Sequence, residues 1–158
     1  MLYNTTHTNK ETVRAIDQMV GKPYGFFESL KLKGTGSKRM IVDEVSPNLK
    51  SVINVVDDIN YENIELRPQG ILIHFTKGHK NFTWAIPYYQ LVIYKINGSS
   101  IHAQGKFVHF RNNKTFKENK KFSVLFLLFV LIYSSTTTYY LKELNTNIKG
   151  INLSTSEV

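Results

Sequence analysis

From Ile64 onward apolar and polar residues alternate with a period of two, and that alternation carries most of what the chain says about its fold. Ile71, Ile73 and Phe75 share one face of a strand, with Leu72, His74 and Thr76 on the other. One strand later Phe82, Trp84 and Ile86 repeat the pattern opposite Thr83 and Ala85. Arg67-Pro68-Gln69-Gly70 predicts the turn that joins this pair to a strand holding Ile64 and Leu66, and Thr76-Lys77-Gly78-His79-Lys80 a basic hairpin tip. Pro87 implies an edge or a bend. A long strand from Tyr88 to Ile96 then runs into Asn97-Gly98, a hairpin signal that pairs Ile96 with Ser99, Tyr94 with Ile101 and Val92 with Ala103. Gly105 predicts a bulge before the strand Lys106–Phe110, so the region reads as an antiparallel meander of about four strands.

Before this region the period is helical. Thr8 and Glu11 have capping-box spacing, Val13, Ile16 and Val20 form one stripe, and Gly21 with Pro23 ends it. Phe27–Leu32 partly alternates and Met40-Ile41-Val42 resumes after Gly34-Thr35-Gly36-Ser37, which predicts two short strands around a turn. Ser46-Pro47 opens a second amphipathic helix through Leu49, Val52, Ile53, Val56 and Ile59, although the β-branched Val52-Ile53 and Val55-Val56 also suit a strand. After the meander, Thr115-Phe116-Lys117-Glu118 opens a closing helix. The expected organisation is one α+β domain over residues 1–121, an antiparallel meander or small open β-barrel with N-terminal helices and a C-terminal helix, followed by an apolar tail over 122–158.

That tail changes the picture. Phe122 to Leu141 is an uncharged stretch of 20 residues, about 30 Å as a helix and so the thickness of a hydrocarbon core. Its strongly apolar part ends near Tyr133, the length of a buried helix, and Ser134-Ser135-Thr136-Thr137-Thr138 does not drive insertion. A membrane segment over 122–141, a buried helix or strand, and a tail of foreign composition all remain open.

Net charge is +8, and its whole excess falls in residues 71–121, which hold nine basic residues and one acid, Glu118. Lys77, Lys80, Lys106, Arg111, Lys114, Lys117, Lys120 and Lys121 are the candidate contacts to an anionic surface. The basic flank lies mostly upstream of the apolar stretch, which would keep the domain on the cytoplasmic face of a membrane. Phe75, Phe82, Phe107 and Phe110 interleave with the charges, as in a single-stranded nucleic-acid site, but fall on alternating strand faces.

Ile64-Glu65-Leu66-Arg67-Pro68-Gln69-Gly70-Ile71-Leu72-Ile73, then Trp84-x-Ile86-Pro87-Tyr88, then strand, hairpin, strand and helix, resembles bacterial pleckstrin-homology-like (PH-like) domains, including uncharacterised bacterial proteins of that class. The resemblance covers residues 60–121. It implies an open barrel plugged by the closing helix and a non-catalytic role, and it transfers no functional residue.

Catalytic and cofactor chemistry finds little to stand on. With no cysteine, thiolate sites and disulfides are out. Arg39 stands where both a phosphate loop and a dinucleotide fingerprint starting at Gly34 require glycine. His74 and His79 flank a hairpin tip, while His102 and His109, seven apart on one strand, lack the spacing and the acids of a metal site. Asp57-Asp58 and Glu62 with Glu65 read as solvated charges at element ends. The expectation is a binding or scaffold domain without enzymatic activity, cofactor or small-molecule substrate. Its partner is an anionic lipid surface or another protein; a tethered membrane protein and a nucleic-acid module are the alternatives.

Overall fold

The computed structural model describes residues 1–7, 9–53, 59–95 and 97–133. The expected roles of Thr8, of Val55 to Asp58, of Ile96 and of everything past Tyr133 lie outside the described residues. Eight strands form one antiparallel sheet: β1 (Leu2–Asn4), β2 (Met40–Val45), β3 (Tyr61–Arg67), β4 (Gly70–Lys77), β5 (Lys80–Pro87), β6 (Val92–Tyr94), β7 (Gly98–Ala103) and β8 (Lys106–Arg111). Their order is β1-β5-β4-β3-β2-β8-β7-β6. Helices α1 (Lys10–Val20), α2 (Phe26–Lys31), α3 (Lys114–Lys117) and α4 (Lys120–Tyr133) complete an α+β architecture.

Two meanders, β2 to β5 and β6 to β8, meet at β2. Its first residues pair with β3 (Met40 with Glu62) and its last with β8 (Val45 with Val108). The change of partner coincides with a bulge at Asp43, whose carboxylate is held by Arg111 at 2.6 Å. A bulge sharpens local twist, and the sheet curls until the β7–β8 turn reaches β5. There the Gln104 amide accepts from Trp84 Nε1 at 3.2 Å and donates to Gln90 Oε1 at 2.8 Å. The concave side holds the core, in which Trp84, Tyr88, Phe75 and Phe110 are the largest fully buried side chains. The convex side is covered by α1, whose Ile16 and Val20 pack on Leu72 and Ala85. β4 is therefore buried on both faces, which is why it reads as a nearly unbroken apolar run.

The expected β3–β4 turn and the basic β4–β5 tip are present, with Arg67 opposite Gly70 and Lys77 opposite Lys80. Gly70 sits where the turn meets the end of α1: a Cβ there would lie 2.3 Å from the Ile86 carbonyl oxygen and 2.7 Å from Val20 Cγ1. α1 also stands as expected, ended by Gly21 at φ 85°, but the side chain that caps it is Asn9, which accepts from Thr12 N–H at 2.7 Å.

Other expectations are corrected. Residues 26–31 form a helix, not a strand, because the Glu28 carboxylate reaches back to the Gly25 N–H at 2.9 Å and the positive φ of Lys33 and Gly34 closes the last turn. The element after Ser46 is a 3₁₀ helix, Pro47–Val52, that gives way to extended backbone at Ile53; Leu49 and Val52 still reach the core. The long strand from Tyr88 is interrupted: Tyr88–Gln90 is a 3₁₀ turn, made possible by Pro87, and only Val92–Tyr94 pairs. Its register is one residue from the expected one, with Tyr94 opposite Ser100, Ile93 opposite Ile101 and Val92 opposite His102. Gly105 belongs to no bulge. Gln104 and Gly105, both at positive φ, make the two-residue turn of a hairpin pairing Ala103 with Lys106. His102 and His109 consequently lie on separate strands.

The apolar run from Phe122 is seated in this fold as part of α4. Phe126 is buried in the core, and Phe122, Leu125, Phe129 and Val130 pack against it. No helix among the described residues is long and apolar enough to cross a membrane.

Candidate functional site

α3 and α4 meet at a corner that overhangs one end of the curled sheet. Asn113 caps α3 by accepting from Phe116 N–H at 2.9 Å. Asn119, 3% exposed, fixes the corner to the segment leading into β2. Its Oδ1 accepts from Lys38 N–H at 2.8 Å, and its Nδ2 donates to Lys38 O at 3.3 Å and to Thr115 O at 3.0 Å. One amide thus satisfies both backbone groups of Lys38, as a strand neighbour would. Asn119→Ala is expected to leave these part-buried backbone groups without their partner and cost about 1–2 kcal/mol, read by denaturant unfolding; an unchanged midpoint would show that the corner is held by apolar packing alone.

Beneath the corner lies a cavity of about 260 Å³. The sheet contributes Met40, Ile64, Ile101 and Phe110, and the helices Phe116 and Phe126. Its polar lining is Lys95, Lys117 and Lys120 with Ser99, Ser123 and Asn112, and no acid lines it among the described residues. The three lysines are exposed and make no ion pair among the described residues. Lys95, ahead of β7, is one of the nine basic residues of the segment but not one of the eight candidate contacts; the hairpin, which turns it toward α3, gives it a role.

The eight candidate contacts do not converge. Lys117 and Lys120 line the cavity, and Lys114 and Lys121 stand on the same two helices. Arg111 ends β8 close by, committed to Asp43. Lys106 begins that strand, about 17 Å away along it, and Lys77 with Lys80 forms the β4–β5 tip, where Lys77 Nζ donates to Ser51 O at 3.1 Å. The basic segment of the sequence is thus divided between two ends of the sheet.

The outer face of α4 is the second feature. Lys121, Val124, Leu128 and Leu131 follow one another at steps of three, four and three, one stripe of a helix. Val124 is 63% and Leu131 59% exposed. The opposite stripe ends in an aromatic clasp: Phe129 and Tyr133 stack on Tyr88 at 6.1 and 5.5 Å, and Tyr24 meets Phe129 at 6.3 Å. Burial first, then the neighbouring Tyr24 and Tyr133 oxygens, pushes the Tyr88 hydroxyl above its ordinary pKa, so it stays a donor, to Arg67 O at 3.1 Å. The clasp brings the start of α2 beside α4, and α2 leaves Phe26, Phe27 and Leu30 exposed.

A polar cluster lies on the convex side beside α1. His74 bridges Glu65 (3.1 Å) and the Thr83 hydroxyl (3.2 Å), Arg67 pairs with Glu65 (2.7 Å) and Asp17 (3.4 Å), and Thr83 also bonds the Thr5 hydroxyl. His74, expected only to flank a hairpin tip, is thus held in a hydrogen-bonded network. Burial raises the Glu65 pKa, but His74 and Arg67 outweigh it and hold the group below the ordinary range. An acid–imidazole–hydroxyl chain has the outline of a nucleophile relay, yet Thr83 is 3% exposed and its hydroxyl is also bonded to that of Thr5. Glu62, expected to be solvated, is 1% exposed on the core face of β3. No group of three metal-ligating side chains occurs among the described residues. No protein-family model, curated protein or solved structure matches the chain.

Proposed function

We propose that this chain is a non-enzymatic binding domain of PH-like architecture that attaches to an anionic membrane surface, at the cytoplasmic face, through α4. The observation that carries the reading is the outer face of α4, an exposed apolar stripe that begins at a cluster of lysines. A helix apolar on all sides is normally covered all round, and here the sheet covers one side only. Amphiphilic surfaces with basic residues beside exposed Leu, Val and Tyr lie in the headgroup region, the apolar side chains in the acyl boundary and the lysines on the phosphates. Phe26, Phe27 and Leu30 of α2 are exposed apolar side chains as well. The curled antiparallel sheet with a C-terminal helix against its concave side supports the PH-like part of the reading.

Flotation of the full chain with vesicles rich in phosphatidylglycerol, against neutral phosphatidylcholine vesicles and at low and high salt, tests it. Binding is expected on the anionic vesicles and is expected to weaken as salt rises. Lys114→Gln with Lys121→Gln is expected to weaken it roughly 30-fold, at about 1 kcal/mol per basic residue. Leu128→Ser with Leu131→Ser is expected to abolish it without a change in folding. Equal binding to neutral vesicles, or none to either, would remove the anionic surface as the target. A steep salt slope on single-stranded RNA in its place would favour the nucleic-acid reading.

A further inference from the structure

We infer that the cavity under the α3–α4 corner is a binding site for an anionic amphiphile, a medium-length alkyl chain carrying a carboxylate or phosphate head. The site is distinct from the outer face of α4 and does not depend on it. Its depth is apolar: Ile101 and Phe110 are 1% and Phe126 5% exposed. An apolar recess of this kind takes an apolar guest, and roughly 150 Å³ already accommodates a benzene ring. At about 260 Å³ this one is larger, yet it falls below the roughly 300 Å³ at which drug-sized sites begin. One short chain fits that volume; a diacyl lipid does not, unless a single chain enters.

The rim supplies the head-group chemistry. Lys95 comes from the β6–β7 connection, Lys117 from α3 and Lys120 from the start of α4, so three separate elements bring lysines to the lining of one cavity. Among the described residues no acid lines the cavity to neutralise them. Three positive charges around an apolar cleft repel one another when it is empty, and an anion held between them removes that repulsion while its tail fills the void. Ser99 and Ser123 add hydroxyls that donate to the same oxygens. Neither a neutral apolar ligand nor a cation uses all of these features.

Calorimetric titration of the full chain below the critical micelle concentration tests the site with decanoate, decyl phosphate, decanol and lysophosphatidylglycerol. Decanoate and decyl phosphate are expected to bind with one-to-one stoichiometry, and decanol at least tenfold more weakly. Lys95→Gln with Lys117→Gln and Lys120→Gln is expected to bring decanoate down to the decanol level while leaving decanol unchanged. Ser123→Trp, which fills the cavity from α4, is expected to abolish binding of all of them with the circular dichroism spectrum unaltered; should that variant misfold, Ser99→Phe fills it from β7. Binding of lysophosphatidylglycerol alone would support the site and name a membrane lipid as the source, whereas decanoate binding names a free fatty acid. Equal affinity for decanol and decanoate, or no saturable binding of any of the four, would overturn the proposal. Leu128→Ser with Leu131→Ser is expected to leave decanoate affinity intact, so loss of vesicle binding and loss of amphiphile binding fail separately.

Discussion

Ionisation of one side chain, Glu62, is expected to cost the folded state roughly 3–5 kcal/mol as the pH rises from 5 to 9. Its carboxylate lies in the inward-facing row of β3 with Ile64 and Leu66, beside Met40 of β2. Neither of its oxygens has a hydrogen-bond partner among the described residues. Burial pushes the Glu62 pKa up to about 8, and the nearby Thr76 backbone amide and Arg39 guanidinium only partly offset that. The folded state therefore keeps a proton that the unfolded chain releases near the ordinary value of 4.5. Between those two pH values the unfolded state binds fewer protons, so stability falls with pH by up to about 1.4 kcal/mol per unit and levels off above pH 8.

Denaturant unfolding of the parent and of Glu62→Gln across that range isolates this slope, because the Met1 amino group, its pKa lowered to about 6 by burial, gains stability with pH in the same window and is common to both proteins. Glu62→Gln removes the ionisation, so its stability relative to the parent is expected to rise steadily from pH 5 to 9. A constant difference between the two proteins would show that the carboxyl is hydrated or paired. Glu65 acts in a separate window. With its pKa lowered, it contributes stability above the unfolded value that is lost as the pH falls through the folded one, on the acid side where Glu62 is silent.

Glu62 also marks the limit of what alternation alone conveys. The period-two pattern is right along β3, β4 and β5, and it assigns Ile64, Leu66, Ile73, Trp84 and Ile86 to one buried face. Extended one step back, the same pattern puts Glu62 on that face, but an acid at a strand entry argues for solvent, and residue type outweighed periodicity. Elsewhere local signals lost to longer-range ones. Asn97-Gly98 announces a hairpin correctly, yet its register depends on β7 pairing with β8 through the Gln104-Gly105 turn, and the true pairing is one residue away. Phe27–Leu32 alternates like a strand but has no neighbour to pair with, so Glu28 and the Gly25 N–H decide in favour of a helix. The candidate site was legible in its charges and not in its geometry. Lys117 and Lys120 were visible as part of a basic run, whereas Lys95 and Asn119 acquire their roles only when the β6–β7 connection and Lys38 are brought to the α3–α4 corner. Contacts separated by 81 positions, as between Lys38 and Asn119, leave no trace in spacing.

The two faces of α4 are expected to differ sharply under truncation. Phe126→Ala should cost about 3–5 kcal/mol, and Leu128→Ala, two residues on, no more than about 0.5 kcal/mol. Phe126 is 5% exposed and joins the core cluster, whereas Leu128 is 51% exposed. The large value follows from transfer and cavity terms acting together. Losing a buried ring forfeits its burial, and the void it leaves opens onto a cavity already present, so neighbouring side chains have little to collapse against. Unfolding of the two variants by denaturant reads the difference, with the slope of the transition checked for constancy. Equal, small effects would mean that α4 contributes little to the fold and that its inward stripe is not docked. A large effect at Leu128 would mean that its face is covered, and the case for an exposed apolar stripe would go with it. The expected asymmetry is what allows one helix to serve two purposes: Phe126 and its neighbours hold it to the sheet, and Val124, Leu128 and Leu131 can be exchanged to test surface binding without disturbing the domain that presents them.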